Sequence, residues 1–279
     1  MTDCQDGTDE AECKVFVTSL GYNKNIVPPT TADGPLRLNL SMLIKEITQI
    51  NEIDNFFRVK FDIKRTWFDK RLTFYNLKDA GTRNQVSLDD RETVWLSWII
   101  FDNTESNEKI LRTEQRDQMS IILYNSTDFT SSDNTYIHNI HLSEGSKNAI
   151  DDVKQYSVDW LCEFNMEWYP FDTQSCTMQL LNYDLMTRFE LHTLEYTGPT
   201  MLSQHIVLDL QMCSKTNDKV QKVVVEIIFG RPLFATFIAT TLPTVILMVI
   251  SQMATTFSDE YLDMVIQVNL TVLLVLATL

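Results

Sequence analysis

From residue 232 to residue 258 the chain carries no charge, and residues 233–253 are almost wholly apolar or small. A helix of about 20 apolar residues is what crosses a bilayer core about 30 Å thick. A buried core helix is the alternative, and the length of the run disfavours it. Residues 233–253 are therefore expected to form one complete membrane span. Pro243 inside it would kink a helix and leave a carbonyl unbonded, which a neighbouring helix can cover. The acidic link Asp259-Glu260-Tyr261-Leu262-Asp263 leads to a second apolar run at 264–279, too short for a comfortable span. It is expected to be the start of a second, truncated one. With no Lys or Arg in the link, the positive-inside rule assigns no orientation.

Before Arg231 the texture is different. Leu36, Leu38 and Leu40 alternate with polar residues, as do Phe57, Val59, Phe61 and Ile63. Such alternation marks half-buried strands. Further alternating or apolar stretches lie at 93–101, 119–124, 156–163, 176–181, 205–212 and 222–229, with turns such as Ser131-Ser132-Asp133-Asn134 between them. Only residues 41–51 hint at another state, because their apolar spacing is mixed. Many short strands separated by polar turns predict a mainly β chain: an antiparallel β-sandwich over 36–231 followed by transmembrane α-helices over 232–279. Residues 14–35, broken by Pro28-Pro29 and Gly34-Pro35, are expected to be a linker.

The net charge of −15 argues against nucleic acid, which needs a basic patch. An acidic surface instead concentrates cations. Five cysteines cannot all pair internally. The sequons at Asn39 and Asn125 fit an extracellular surface, whereas a third at Asn269 falls inside an apolar run. Met1-Thr2-Asp3-Cys4 has neither the basic start nor the apolar run of a signal peptide, so either a cytosolic chain or a true N-terminus ahead of Met1 is expected, and the rest of the chain favours the second.

Cys162 and Cys176 enclose thirteen residues, with Tyr169-Pro170-Phe171-Asp172 in the second half. A disulfide here would close a compact loop worth about 3 kcal/mol, in an oxidising compartment. This spacing and this aromatic-Pro-x-Asp tip resemble the signature of the pentameric Cys-loop ligand-gated ion channels. Trp67-Phe68-Asp69-Lys70-Arg71-Leu72 is similar to the family's Trp-x-Asp-x-Arg-Leu strand. The segment from Val94-Trp95 to Asn103 is similar to its Trp-x-Pro-Asp segment, with Ser97 and Trp98 replacing the Pro and Asp. Asn182-Tyr183, Arg231-Pro232 and Leu242-Pro243 also fall in the family's order. The resemblance implies an invertebrate-type subunit in the plasma membrane, multi-pass, with its N-terminal domain outside. Its partners would be four further homologous subunits, a small extracellular ligand, the lipid bilayer and permeant ions. No cofactor is required. It also implies a Cys162–Cys176 bridge whose tip presses on the membrane domain, with Arg231 in coupling.

Residues 3–13 are similar to the end of a low-density-lipoprotein-receptor class A module. Asp3, Asp9 and Glu10 match carboxylates that would ligate Ca²⁺ in a complete module.

Glu260, Asp263, Gln267, Leu270 and Leu274 share one face of a helix. A solvated helix start would also favour the two acids. Under the resemblance this face lines a pore, with Leu270 at the gate and Glu260 where cation-selective relatives carry a glutamate. The Pro-Ala-Arg of anion-selective relatives is absent, so cation preference is expected, with anion selectivity the alternative. For the ligand, the resemblance points to Tyr183, Phe101 and Asp62. Residues 213–219 hold no aromatic and one cysteine, unlike the acetylcholine, glycine and glutamate types. Cys213 is expected to be a free thiol. His138, His141, His192 and His205 leave proton or metal-ion sensing open. Two other classes stand beside the channel: a truncated, regulatory subunit, and a single-pass adhesion receptor, which would need only one apolar run. No nucleophile motif, phosphate loop or metal-ligand cluster suggests an enzyme.

Overall fold

The computed structural model describes residues 15–30, 34–75, 77, 84–104, 111–112, 117–123, 142–217, 219–254, 256 and 262–278. Asp3, Asp9, Glu10, Cys4, Cys13, Asn125, His138, His141 and Glu260 lie outside them. The chain divides into two compact units. The first comprises Met1–Glu163, Cys176–Pro199 and Leu210–Glu226; the second comprises Phe164–Ser175, Thr200–Asp209 and Ile227–Leu279.

Among the described residues the strands are β1 (Phe16–Thr18), β2 (Leu36–Asn51), β3 (Phe56–Trp67), β4 (Leu72–Tyr75), β5 (Gln85–Val86), β6 (Ile100–Phe101), β7 (Leu111–Arg112), β8 (Gln118–Ile122), β9 (Leu142–Glu144), β10 (Ala149–Leu161), β11 (Thr173–Asn182), β12 (Thr187–Tyr196), β13 (Ile206–Thr216) and β14 (Gln221–Gly230). The largest sheet runs β12-β2-β3-β10-β8-β5, with β7 also on β10. A second runs β13-β14-β11-β6 and a small third β1-β4-β9.

Alternation explains β3 directly. Phe57, Val59, Phe61, Ile63 and Trp67 are buried on one face. On the other, Arg58 pairs with Asp159 and Lys64 with Asp151, both on neighbouring β10, at 2.5 and 2.7 Å. The mixed spacing at 41–51 has a different origin. Those residues continue β2, and its register on β3 shifts between Ile44 and Glu46 and again between Ile47 and Gln49. Each bulge adds a residue and so resets which side chains face inward.

Residues 93–101, read from the sequence as one strand, form a strand only at Ile100–Phe101. The backbone ahead of β6 is committed elsewhere: the Trp95 N–H donates to the Tyr22 hydroxyl at 2.9 Å, and Arg65 donates to the Ser97 carbonyl. Beneath that segment Arg65, Arg91, Asp152 and Asp117 form a buried ion network. Arg91 ends the short helix α1 (Leu88–Arg91), whose N-cap is Ser87.

Within 14–35, where the breakers predict a linker, Phe16 is buried and β1 pairs with β4. Arg71 holds the following residues against this sheet. It forks onto Asp69, lies 4.5 Å from the Tyr22 ring centre, and donates to the Asn23 and Ile26 carbonyls. Burial pushes the Tyr22 phenol up to about 12.

In the second unit the helical segments are α2 (Leu233–Thr236), a π-helical turn at Phe237–Thr241, α3 (Leu242–Ala254) and α4 (Leu262–Thr278). The turn precedes Pro243, which lacks the N–H that an unbroken α-helix would need. Among the described residues no single helix is long and apolar enough to cross a membrane. Ser251 on α3 donates to Asn269 on α4 at 2.6 Å, and Val272 is buried.

Candidate functional site

The loop between Cys162 and Cys176 is organised from inside. The two cysteines are bonded, with their Cα atoms 5.3 Å apart. Gln174 alternates inward with Cys176 along β11 and is buried. Its side chain accepts from the Asn165 N–H at 2.9 Å, and its amide donates to the Asn165 carbonyl at 2.7 Å and to Asp172. Asp172 in turn accepts from Nε of Arg231 at 2.7 Å, and both side chains are buried. The Arg231 guanidinium lies 4.7 Å from the centre of the Tyr169 ring and donates to Met166 Sδ at 3.2 Å. Burial works against ionisation of Asp172, but the Arg231 and Gln174 hydrogen bonds outweigh it and hold the carboxyl below its usual range. The peptide bond before Pro170 is cis. Trp168 and Phe171 are more than 70% exposed, so the loop presents aromatic surface to solvent while Asn165, Asp172 and Gln174 bond to one another.

Arg231 follows the last residue of β14 and precedes Pro232, which caps α2. The loop tip and the residue that starts the helical region are thus joined by a charge-assisted hydrogen bond and a cation–π contact. Gln174 carries much of this arrangement. By residue type a glutamine reads as surface, although the alternation Gln174, Cys176, Met178, Leu180 marks it as inward-facing. Asn103 is similar: it donates to the Leu161 and Thr177 carbonyls and accepts from the Gln179 N–H, tying β10 to β11.

On α4, Asp263, Gln267, Leu270 and Leu274 are all exposed, while Val265, Val268 and Asn269 are half-buried and Val272 is buried. The helix therefore has a packed side and an open side, and the four residues share the open one.

The three ligand candidates do not converge. Tyr183, just beyond β11, is 56% exposed. Asp62 pairs with Lys45 at 2.7 Å on the polar face of β3. Phe101 is buried against Phe61, Tyr156 and Trp160, with ring centres 5.1 to 6.0 Å apart. Phe101→Ala is accordingly expected to cost about 3–5 kcal/mol of stability, read as a lowered denaturation midpoint. The turn after Tyr183 and the β13–β14 turn share a cleft of about 270 Å³ lined by Asn182, Thr187, Asn217, Lys219 and Gln221. Cys213 is a free, exposed thiol. His192 is exposed on β12, and His205 is buried against Phe229. Asn39 is exposed on β2.

Residues 13–194 match the model of the neurotransmitter-gated ion-channel ligand binding domain. The chain is 22% identical over 175 residues to acetylcholine receptor subunit alpha-type unc-38 of Caenorhabditis elegans, covering 62% of this chain and 29% of that protein. It is 22% identical to a glutamate-gated chloride channel of Drosophila melanogaster, covering 96% of this chain and 57% of the other. Neuronal acetylcholine receptor subunit beta-4 of Homo sapiens matches at 22% over 162 residues, 58% of this chain and 27% of that protein. The chain thus spans between about a quarter and just over half the length of these relatives. With the matched model covering well over half its length, the chain belongs to the neurotransmitter-gated ion-channel ligand-binding-domain family.

Proposed function

We propose that the chain is a subunit of a plasma-membrane ion channel, assembled with four homologous subunits and opened by a small extracellular ligand. The observation that carries this reading is the Asp172–Arg231 pair, which fastens a covalently closed loop to the residue that starts the helices. A displacement of β11, which carries Cys176, or of β10, which ends just before Cys162, then reaches Arg231 through the loop rather than dissipating in a flexible turn. The cleft beside the Tyr183 turn is the proposed ligand face, contributed to an interface with the next subunit.

Residues 233–254 are helical throughout and, at about 1.5 Å per residue, extend about 33 Å. We take them as the first membrane span, kinked at the π-helical turn, and α4 as part of the second. Phe234, Phe237, Val245, Met248 and Leu273 are each about half exposed or more, which is apolar surface of the kind that lipid or neighbouring helices cover. The open face of α4 would line the pore. Leu270 would form an apolar ring that gates by dewetting, and Asp263 and Glu260 would favour cations at the mouth. Extracellular exposure would make Asn39 a glycan acceptor, and Asp3, Asp9 and Glu10 would bind Ca²⁺ only within a complete N-terminal module.

Selectivity is tested by two-electrode recording from oocytes expressing the subunit. Ligand-evoked current should reverse at a potential that shifts when external Na⁺ is replaced by a large organic cation, and stay put when chloride is replaced by gluconate. A reversal potential that follows chloride would overturn the cation reading.

A further inference from the structure

A second cleft, of about 950 Å³, opens in the first unit, and its walls include Arg37, Lys70, Arg188, Phe68, Ser146 and Gln221. Three cations around one cleft run against a chain whose net charge is −15. The parallel pairing of β12 with β2 sets Arg188 directly opposite Arg37. Like charges in that relation destabilise a sheet. Glu190, which also lines the cleft, relieves only Arg37, which it meets at 3.0 Å. Among the described residues neither Arg188 nor Lys70 has an acidic partner.

The floor of the cleft is built firmly. The Gln221 side chain accepts from the Phe189 N–H and donates to its carbonyl, both at 2.7 Å, and donates to the Ser214 hydroxyl at 2.9 Å. Phe68, 43% exposed, adds an apolar wall.

We propose that this cleft binds an oxyanion, a carboxylate or sulfate group, between Arg37 and Arg188, with Lys70 adding charge at the rim. Guanidinium forks match the paired oxygens of such a group, and its negative charge cancels the repulsion across the strand pair. The site adjoins the smaller cleft of the proposed ligand face, with Arg188 and Gln221 lining both, and anion binding there does not depend on channel activity.

The test is calorimetric titration of the detergent-solubilised chain with sodium sulfate and, separately, sodium benzoate, at an ionic strength held constant with NaCl. Saturable binding of one anion per chain is expected. Arg188→Gln should weaken it tenfold or more, and Lys70→Gln by about threefold, a point charge at the rim counting for less than a fork. Without the added anion, Arg188→Gln should have a thermal midpoint equal to or above that of the unmodified chain, because the variant relieves the repulsion. This also verifies that it folds. Benzoate binding more tightly than sulfate, and losing that advantage in Phe68→Ala, would assign the site to an organic carboxylate. The reverse order would assign it to an inorganic ion. No saturable heat with either anion, or equal affinity in Arg188→Gln, would overturn the proposal.

Discussion

Cys162→Ser is expected to remove the protein from the cell surface. The bond it breaks joins the end of β10 to β11, and both sulfurs lie in the interior, with Cys176 wholly buried. Opening a loop of this length costs about 3 kcal/mol through the unfolded chain alone, and losses of 2–5 kcal/mol are usual for native bridges. The folded state loses more than a link. Gln174 holds Asn165 and Asp172 in place only while Cys176 keeps that end of β11 fixed. Since few domains exceed 15 kcal/mol of stability, quality control should retain the variant inside the cell. Surface biotinylation against total protein measures this. Cys176→Ser should behave alike, and the double variant should be no worse than either single one, because each removes the same bond. Normal surface delivery and normal current from Cys162→Ser would contradict the structural role given to the bridge.

Arg231→Ala is expected to have the next largest effect, on gating as well as on stability. Both members of the pair with Asp172 are buried, and removing one partner strands the other's charge, at a cost of about 3–5 kcal/mol. The Tyr169 ring also loses its cation. Arg231→Lys keeps the charge but not the planar fork, so it should retain part of the stability and give a right-shifted ligand response. Combining Asp172→Asn with Arg231→Gln should cost less than the sum of the two single changes, as residues in direct contact do. Additive losses would show that the pair is not the link between loop and helix.

The same pair has a pH signature. The Asp172 carboxyl titrates below its usual range in the folded protein, so its stabilising contribution is complete above the unfolded carboxylate value, about pH 4. It is lost as pH falls through the lowered folded value. The gap in thermal midpoint between the unmodified chain and Asp172→Asn should therefore be flat from pH 5 to 8 and close below pH 4. A gap already closing between pH 7 and 6 would contradict the ion pair.

Local chemistry accounts for most of what could be read in advance. The strands at 36–40 and 57–63, the closed loop at 162–176 and the apolar runs after Arg231 follow from side-chain period, cysteine spacing and missing charge. The open face of α4 was legible for the same reason, since helical period alone sorts Asp263, Gln267, Leu270 and Leu274 from Val268 and Val272. Gln174 was legible too, through its place in an alternating strand, but a glutamine reads as surface unless its partners are known.

By itself, then, the sequence determined what depends on neighbours along the chain: side-chain period, the loop motif and the apolar helical runs. Tertiary structure alone decided what depends on residues brought together from far apart. It turned 41–51 into a bulged strand, because the partner β3 sets that register. It kept 93–99 out of a sheet, because Tyr22 and Arg65 take the backbone groups a strand would need. It buried Phe101, and it set Arg188 against Arg37. Cross-strand pairing and buried hydrogen bonds are fixed by which surfaces meet once the chain is compact, and no local pattern records that meeting.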